Sequence, residues 1–186
     1  MKCLTNTKLV GLLLSLSILL HAAPSLQAAS RSEMRREARA ALSELYETTP
    51  AARNLGKSAK AVLVFPQIVK AGFILGAQHG DGTLLQHGKA IGCYKTVAGS
   101  YGLQAGVQKF GYALFFMTNE DLAYLRKSGG WEIGTGPSVV IVDKGMAKAM
   151  TSTTLRKGVY AFAFSQKGLM AGLGLQGTKI TPIRPD

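Results

Sequence analysis

The chain has 186 residues, 47% hydrophobic and 17% charged, which is enough apolar material for one domain with a real core. Its formal net charge of +12 favours anionic partners, whether nucleic acid, an anionic membrane or an acidic protein surface. Of its two cysteines one lies in the leader described next, so Cys93 has no intramolecular disulfide partner.

Residues 1–29 read as a secretory signal peptide. Lys2 and Lys8 make a basic start, residues 9–20 (LVGLLLSLSILL) form the apolar run, and Pro24 precedes a small-residue stretch. The run is too short to span a bilayer comfortably, and cleavage is expected near Ala28 or Ala29. Processing takes away Lys2 and Lys8 and no acid, so the net charge falls from +12 to +10. Cys93, beside Ile91 and Tyr94, is expected in the core.

The remaining residues, 30–186, read as a single domain. Residues 30–47 predict an amphipathic helix with Met34, Ala38, Ala41, Leu42 and Leu45 on one face. Arg31, Arg35, Arg36 and Arg39 crowd its first half, against the preference of the helix dipole for acids there. They fit either a solvated face or contact with a membrane or acidic partner. Thr48-Thr49-Pro50 ends this helix, and a short helical turn is expected over 51–58. Residues 61–65 predict a buried strand stopped by Pro66, with Lys57, Lys60 and Lys70 around it. Strands over 72–78 and 83–86 are expected to flank a turn at Gly80-Asp81-Gly82.

Residues 101–108 (YGLQAGVQ) alternate with period two and read as one strand, with Tyr101, Leu103, Ala105 and Val107 on the buried side and Gly102, Gln104, Gly106 and Gln108 opposite. Three segments close on Gly-x-Gln: Gly76 to Gln78, Gly106 to Gln108 and Gly174 to Gln176. They suggest three central strands with a flattened Gly/Gln face, where a helix packs, the sheet curls or a ligand sits. A short helix over 119–127 follows, capped by Thr118 or Asn119. Strands are expected at 131–136, 138–142 and 159–164, then a hairpin turn at 165–168 and a last glycine-rich strand over 169–177. The fold class is α+β: a predominantly antiparallel β-sheet or partly closed barrel with an N-terminal amphipathic helix and one or two short helices.

No catalytic constellation emerges. His79, Asp81 and His87 match no usual metal spacing, and neither a Gly-x-Ser-x-Gly elbow nor a Cys–His pairing is present. The glycine-rich stretches lack phosphate-loop spacing, and the basic residues lack a nucleic-acid motif. The chain is therefore expected to be no enzyme, to need no metal or other cofactor, and to bind no nucleic acid.

From Ser32 to Ile180 the chain resembles the SYLF domain family, also called Ysc84-type lipid-binding proteins. The resemblance rests on SEMRREARAAL, on residues 59–66 (AKAVLVFP) and 69–73 (VKAGF), and on 99–108 (GSYGLQAGVQ). Residues 114–117 with Asn119 and Glu120, and 160–177 (YAFAFSQKGLMAGLGLQG), complete it. It implies a lipid-binding module, with phosphoinositide and membrane binding in eukaryotic members and actin binding in yeast ones. The basic residues implied for membrane contact are Arg31, Arg35, Arg36, Arg39, Lys57, Lys60 and Lys70. With a signal peptide and no SH3 or FYVE domain, the expected ligand here is anionic phospholipid, and actin is set aside. The expected protein is exported, periplasmic or peripherally attached to the bacterial envelope. The alternative is a structural or protein-interaction domain of the envelope without direct lipid binding.

Overall fold

A computed structural model of the chain describes residues 31–72, 75–101, 106–127, 129–142, 146, 158–167, 175 and 177–183. The leader expected at 1–29 lies outside these residues, as do Gly102, Gln104, Gly174 and Gln176. The described part is α+β: eight mostly antiparallel strands in a sheet curled into a half-barrel, with three helices.

Helix α1 (Arg31–Thr48) buries Met34, Ala38, Leu42 and Leu45, the face expected from their spacing. Thr49 stands at the N-cap position of α2 (Pro50–Ser58) without a side-chain capping bond, and Pro50 fits there because its missing N–H is one that the first helical turn leaves unpaired anyway. Strand β1 (Ala61–Gly72) then runs antiparallel to β2 (Leu75–Gln86), and β2 to β3 (Lys89–Tyr101). Strand β4 (Gly106–Phe116) pairs with the other side of β1. Helix α3 (Asn119–Leu125) is capped by Thr118, whose Oγ1 accepts from the Asp121 N–H at 3.1 Å. Then come β5 (Trp131–Glu132), β6 (Val139–Val142), β7 (Val159–Lys167) and β8 (Lys179–Pro182). The sheet order is β5-β8-β3-β2-β1-β4-β7-β6, and only β6 with β7 is parallel.

Several sequence expectations need correction. Pro66 does not stop β1. The register shifts between Phe65 and Ile68, so the proline, which cannot donate to a ladder, sits in a bulge of a central strand. Gly80, Asp81 and Gly82 are no turn either; they pair with Thr96, Lys95 and Tyr94, and the chain turns at His87 and Gly88. These glycines are demanded by packing. A Cβ on Gly82 would stand 2.5 Å from Cδ1 of Phe65 and 2.7 Å from the Val64 carbonyl oxygen.

Residues 101–108 are not one strand: β3 ends at Tyr101 and β4 begins at Gly106. The expected strand over 72–78 divides likewise, since Gly72 ends β1 and pairs with Gly76 of β2. The strand expected at 131–136 shortens to Trp131–Glu132, and the backbone turns with Thr135 N–H donating to the Glu132 carbonyl at 3.0 Å. At the turn expected from Ser165, β7 instead continues to Lys167; Ser165 has a φ of +50° where the register with β4 shifts.

Each face of the sheet carries its own core. On one face Ala38, Leu42, Leu45 and Leu55 of the helices pack on Val62, Val64, Phe115 and Phe162. The concave face gathers Phe65, Tyr112, Leu114, Phe116 and Trp131, closed by Leu122 and Leu125 of α3. Edge-on ring pairs join strands in both layers, Phe115 with Phe162 at 5.3 Å and Phe116 with Trp131 at 5.9 Å. Each such pair adds about 1 kcal/mol beyond its burial. Cys93 is buried, as its neighbours implied, and forms no disulfide.

Candidate functional site

The basic residues of α1 project from a helix whose apolar side is already used. Met34, Ala38 and Leu42 face the sheet of the same domain, so they offer no surface to an acyl layer. Arg35, Arg36 and Arg39 are exposed. The Arg36 guanidinium lies 3.6 Å from the Glu33 carboxylate with 76% of its side chain open to solvent, and a pair so exposed is worth under about 1 kcal/mol. Arg39 donates through Nε to the Gly88 carbonyl at 3.2 Å, tying α1 to the turn between β2 and β3. Arg35 has no partner among the described residues, and Arg31 is half-buried and engaged.

Lys57 occupies the last turn of α2, where a cation suits the helix dipole. Lys60 donates its backbone N–H to the Phe116 carbonyl at 2.8 Å and keeps its side chain exposed at the entrance to β1. Lys57 and Lys60 are close in the chain, at the junction of α2 and β1. Lys70 is not with them. It stands ten residues further along β1, about 30 Å of extended chain, and its side chain belongs to the concave face.

There Lys70 pairs across β1 with Gln78 of β2 on one side and Gln108 of β4 on the other. Both glutamines are buried, and Gln78 Nε2 donates to Thr178 Oγ1 at 3.4 Å. Two of the three Gly-x-Gln segments thus lie symmetrically about β1, with Gly72 between Gly76 and Gly106 in the same way. Helices α1 and α2 pack on the opposite face, so the Gly/Gln side lines the curl of the sheet.

A further surface escaped the sequence reading. Beyond the rows covered by α1 and α2, no other described element covers the helix-bearing face of the sheet. Leu75 is 72% exposed, Val107 60% and Val97 49%, with Ala71, Ala77 and Gly99 exposed between them. The period-two alternation showed in the sequence but pointed the wrong way: Val107, on the side expected to be buried, is exposed, while Gln108 on the other side is buried. His79 and Asp81 lie on this same face of β2, opposite Val97 and Lys95. Among the described residues no three His, Cys, Asp or Glu side chains are grouped to hold a metal ion, and no helix is long and apolar enough to cross a membrane.

Residues 97–184 match the family model of Ysc84, described as "Las17-binding protein actin regulator". The resemblance drawn from Ser32 to Ile180 is thus supported from Val97 onward, through β4, α3 and β5 to β8. Helices α1 and α2 and all seven basic residues named above precede the match. No curated protein matches the chain.

Proposed function

With the Ysc84 match as premise, we propose that the protein is a non-enzymatic lipid-binding module. It is exported and associates peripherally with anionic phospholipid of the cell envelope. The observation that carries this reading is the open basic side of α1, where Arg35 and Arg36 face solvent on a helix fixed to the sheet. Because its apolar side is occupied, α1 meets headgroups through charge alone. Each basic residue near an anionic surface adds about 1 kcal/mol at most. Such binding weakens with salt, since screening acts over about 10 Å at 0.1 M.

Vesicle co-sedimentation tests this. Binding is expected to phosphatidylcholine vesicles containing phosphatidylglycerol, and to fall when Arg35, Arg36 and Arg39 become Glu. Equal binding to neutral and anionic vesicles, or binding indifferent to those changes, would overturn it.

A second reading, a protein-interaction domain, is favoured by the family's being described as Las17-binding. Limited proteolysis separates the two. Cleavage within α1 that anionic vesicles suppress favours lipid, and cleavage indifferent to vesicles favours a protein partner. Actin is not proposed here, because the leader read from residues 1–29 directs the chain out of the cytoplasm.

A further inference from the structure

The uncovered end of the sheet has an order that neither α1 nor its arginines explains. Read across the strands, one row runs Lys179 of β8, Val97 of β3, His79 of β2, Val69 of β1 and Lys109 of β4. Two residues nearer the end lies the row Gly99, Ala77, Ala71 and Val107, and beyond it Leu75. All of these share the face that α1 and α2 cover elsewhere, because side chains two apart on a strand point the same way. Charge thus stops at this level, and the described residues past it on this face are small or apolar.

The spacing has a physical meaning. Two residues of strand advance about 6.6 Å, so Val107 sits about 7 Å and Leu75 about 13 Å beyond the lysine level. An amphipathic element lying in a membrane interface buries its apolar side about 5–10 Å into the headgroup and acyl boundary. We infer that this end of the sheet is what enters the bilayer, with Leu75 and Val107 below the headgroups and Lys109 and Lys179 level with the phosphates. The inference rests on the membrane reading above and assigns the apolar contact that α1 cannot make.

The charges also set a tilt. Among the described residues two acids border the strip, both towards the β5 side: Glu132 opposite Lys179, and Asp81 opposite Lys95. On the other side Lys109 pairs with Lys167 of β7, and no acid lies in that part of the row among the described residues. The β4–β7 side, which carries Val107 two residues from Lys109, therefore faces an anionic surface first. The same arrangement disfavours a second copy of the chain as occupant, since a twofold contact on this strip brings two lysine borders together.

Trp131 is the chain's one tryptophan and is buried, so a Leu75→Trp variant adds a single exposed indole. Mixed with phosphatidylcholine–phosphatidylglycerol vesicles carrying acyl-chain bromine, that variant is expected to lose fluorescence while the wild-type protein does not. A Leu75→Asp, Val107→Asp double variant is expected to partition about tenfold or more weakly, as loss of two inserted side chains requires, with its melting temperature unchanged. If the wild type binds the vesicles but the indole stays unquenched and the double variant binds equally well, the inference falls and membrane contact through α1 stands. If the wild type binds no vesicle, both fall together. Self-association that the double variant abolishes, without any effect on vesicles, assigns the strip to a second copy and also overturns the inference.

Discussion

Tyr112 of β4 donates its hydroxyl proton to Thr96 Oγ1 of β3 at 2.9 Å, reaching over the two strands that separate them in the sheet. Only a curled sheet permits such a bond, and both side chains are fully buried. Burial holds the Tyr112 phenol well above its usual ionisation range, with the Thr96 bond a smaller opposing effect. The folded chain therefore keeps a proton that an unfolded tyrosine releases near pH 10. The stabilisation is complete below that pH and is lost as pH rises beyond it. Burial raises Tyr46 and Tyr94 in the same direction.

Tyr112→Phe is accordingly expected to cost about 1–3 kcal/mol near neutral pH, because Thr96 loses its partner in a buried site. Its stability then declines less steeply above about pH 10 than that of the wild type. Urea unfolding at neutral and alkaline pH measures both, and parallel pH curves would refute the assignment.

Gly82 and Gly99 give a matched pair. A Cβ at Gly82 meets the Val64 carbonyl oxygen and the Phe65 ring, whereas one at Gly99 meets nothing within 4 Å. Gly82→Ala is expected to destabilise by about 1–3 kcal/mol through overpacking, and Gly99→Ala by less than about 0.5 kcal/mol in either direction. Thermal unfolding of the two variants decides it.

Thr83 carries a buried Oγ1 with no hydrogen-bond partner among the described residues. It lies between Val64 and Cys93 in the ladder. Replacing the hydroxyl by a methyl removes an uncompensated desolvation cost, so Thr83→Val is expected to stabilise by about 1 kcal/mol. A lower denaturation midpoint for this variant would mean the hydroxyl is satisfied after all.

The placement of the lysines predicts unequal effects on membrane binding. Lys57 and Lys60 are exposed beside the helices, while Lys70 is half-buried on the concave face. A Lys57→Gln, Lys60→Gln variant is expected to weaken anionic-vesicle binding by up to about tenfold, and Lys70→Gln to leave it unchanged. Flotation assays on both variants give the comparison, and an equal loss would contradict the separation of the two faces.

The helices were legible because each advertises itself locally. Spacing placed the buried face of α1, Thr118 and the acids after it marked α3, and Pro50 divided α1 from α2. Glycine and proline misled for one reason: both were read as punctuation, and here both answer to neighbours on other strands. Gly80 and Gly82 lie under Ile68 and Phe65, and Pro66 is housed in a bulge. Strand β8 was missed altogether, since four residues with a terminal proline carry little pattern of their own. Of the candidate site, the arginines were visible as a cluster, but which side of α1 is consumed by the sheet depends on contacts across the fold. The separation of Lys70 from Lys60 follows only once β1 is seen to continue past its proline.

Strand β8 follows every other strand in the chain, yet it lies inside the sheet, between β5 and β3. Ile180 pairs there with both Trp131 and Thr96. Whether the chain emerges from a ribosome or a translocation channel, β3 must then wait with an open edge until residues 179–182 have emerged, and the indole of Trp131 waits with it. Assembly of the sheet therefore ends in a zipping step. A chain halted before that point presents β3 with one edge unpaired to chaperones or to other copies of itself.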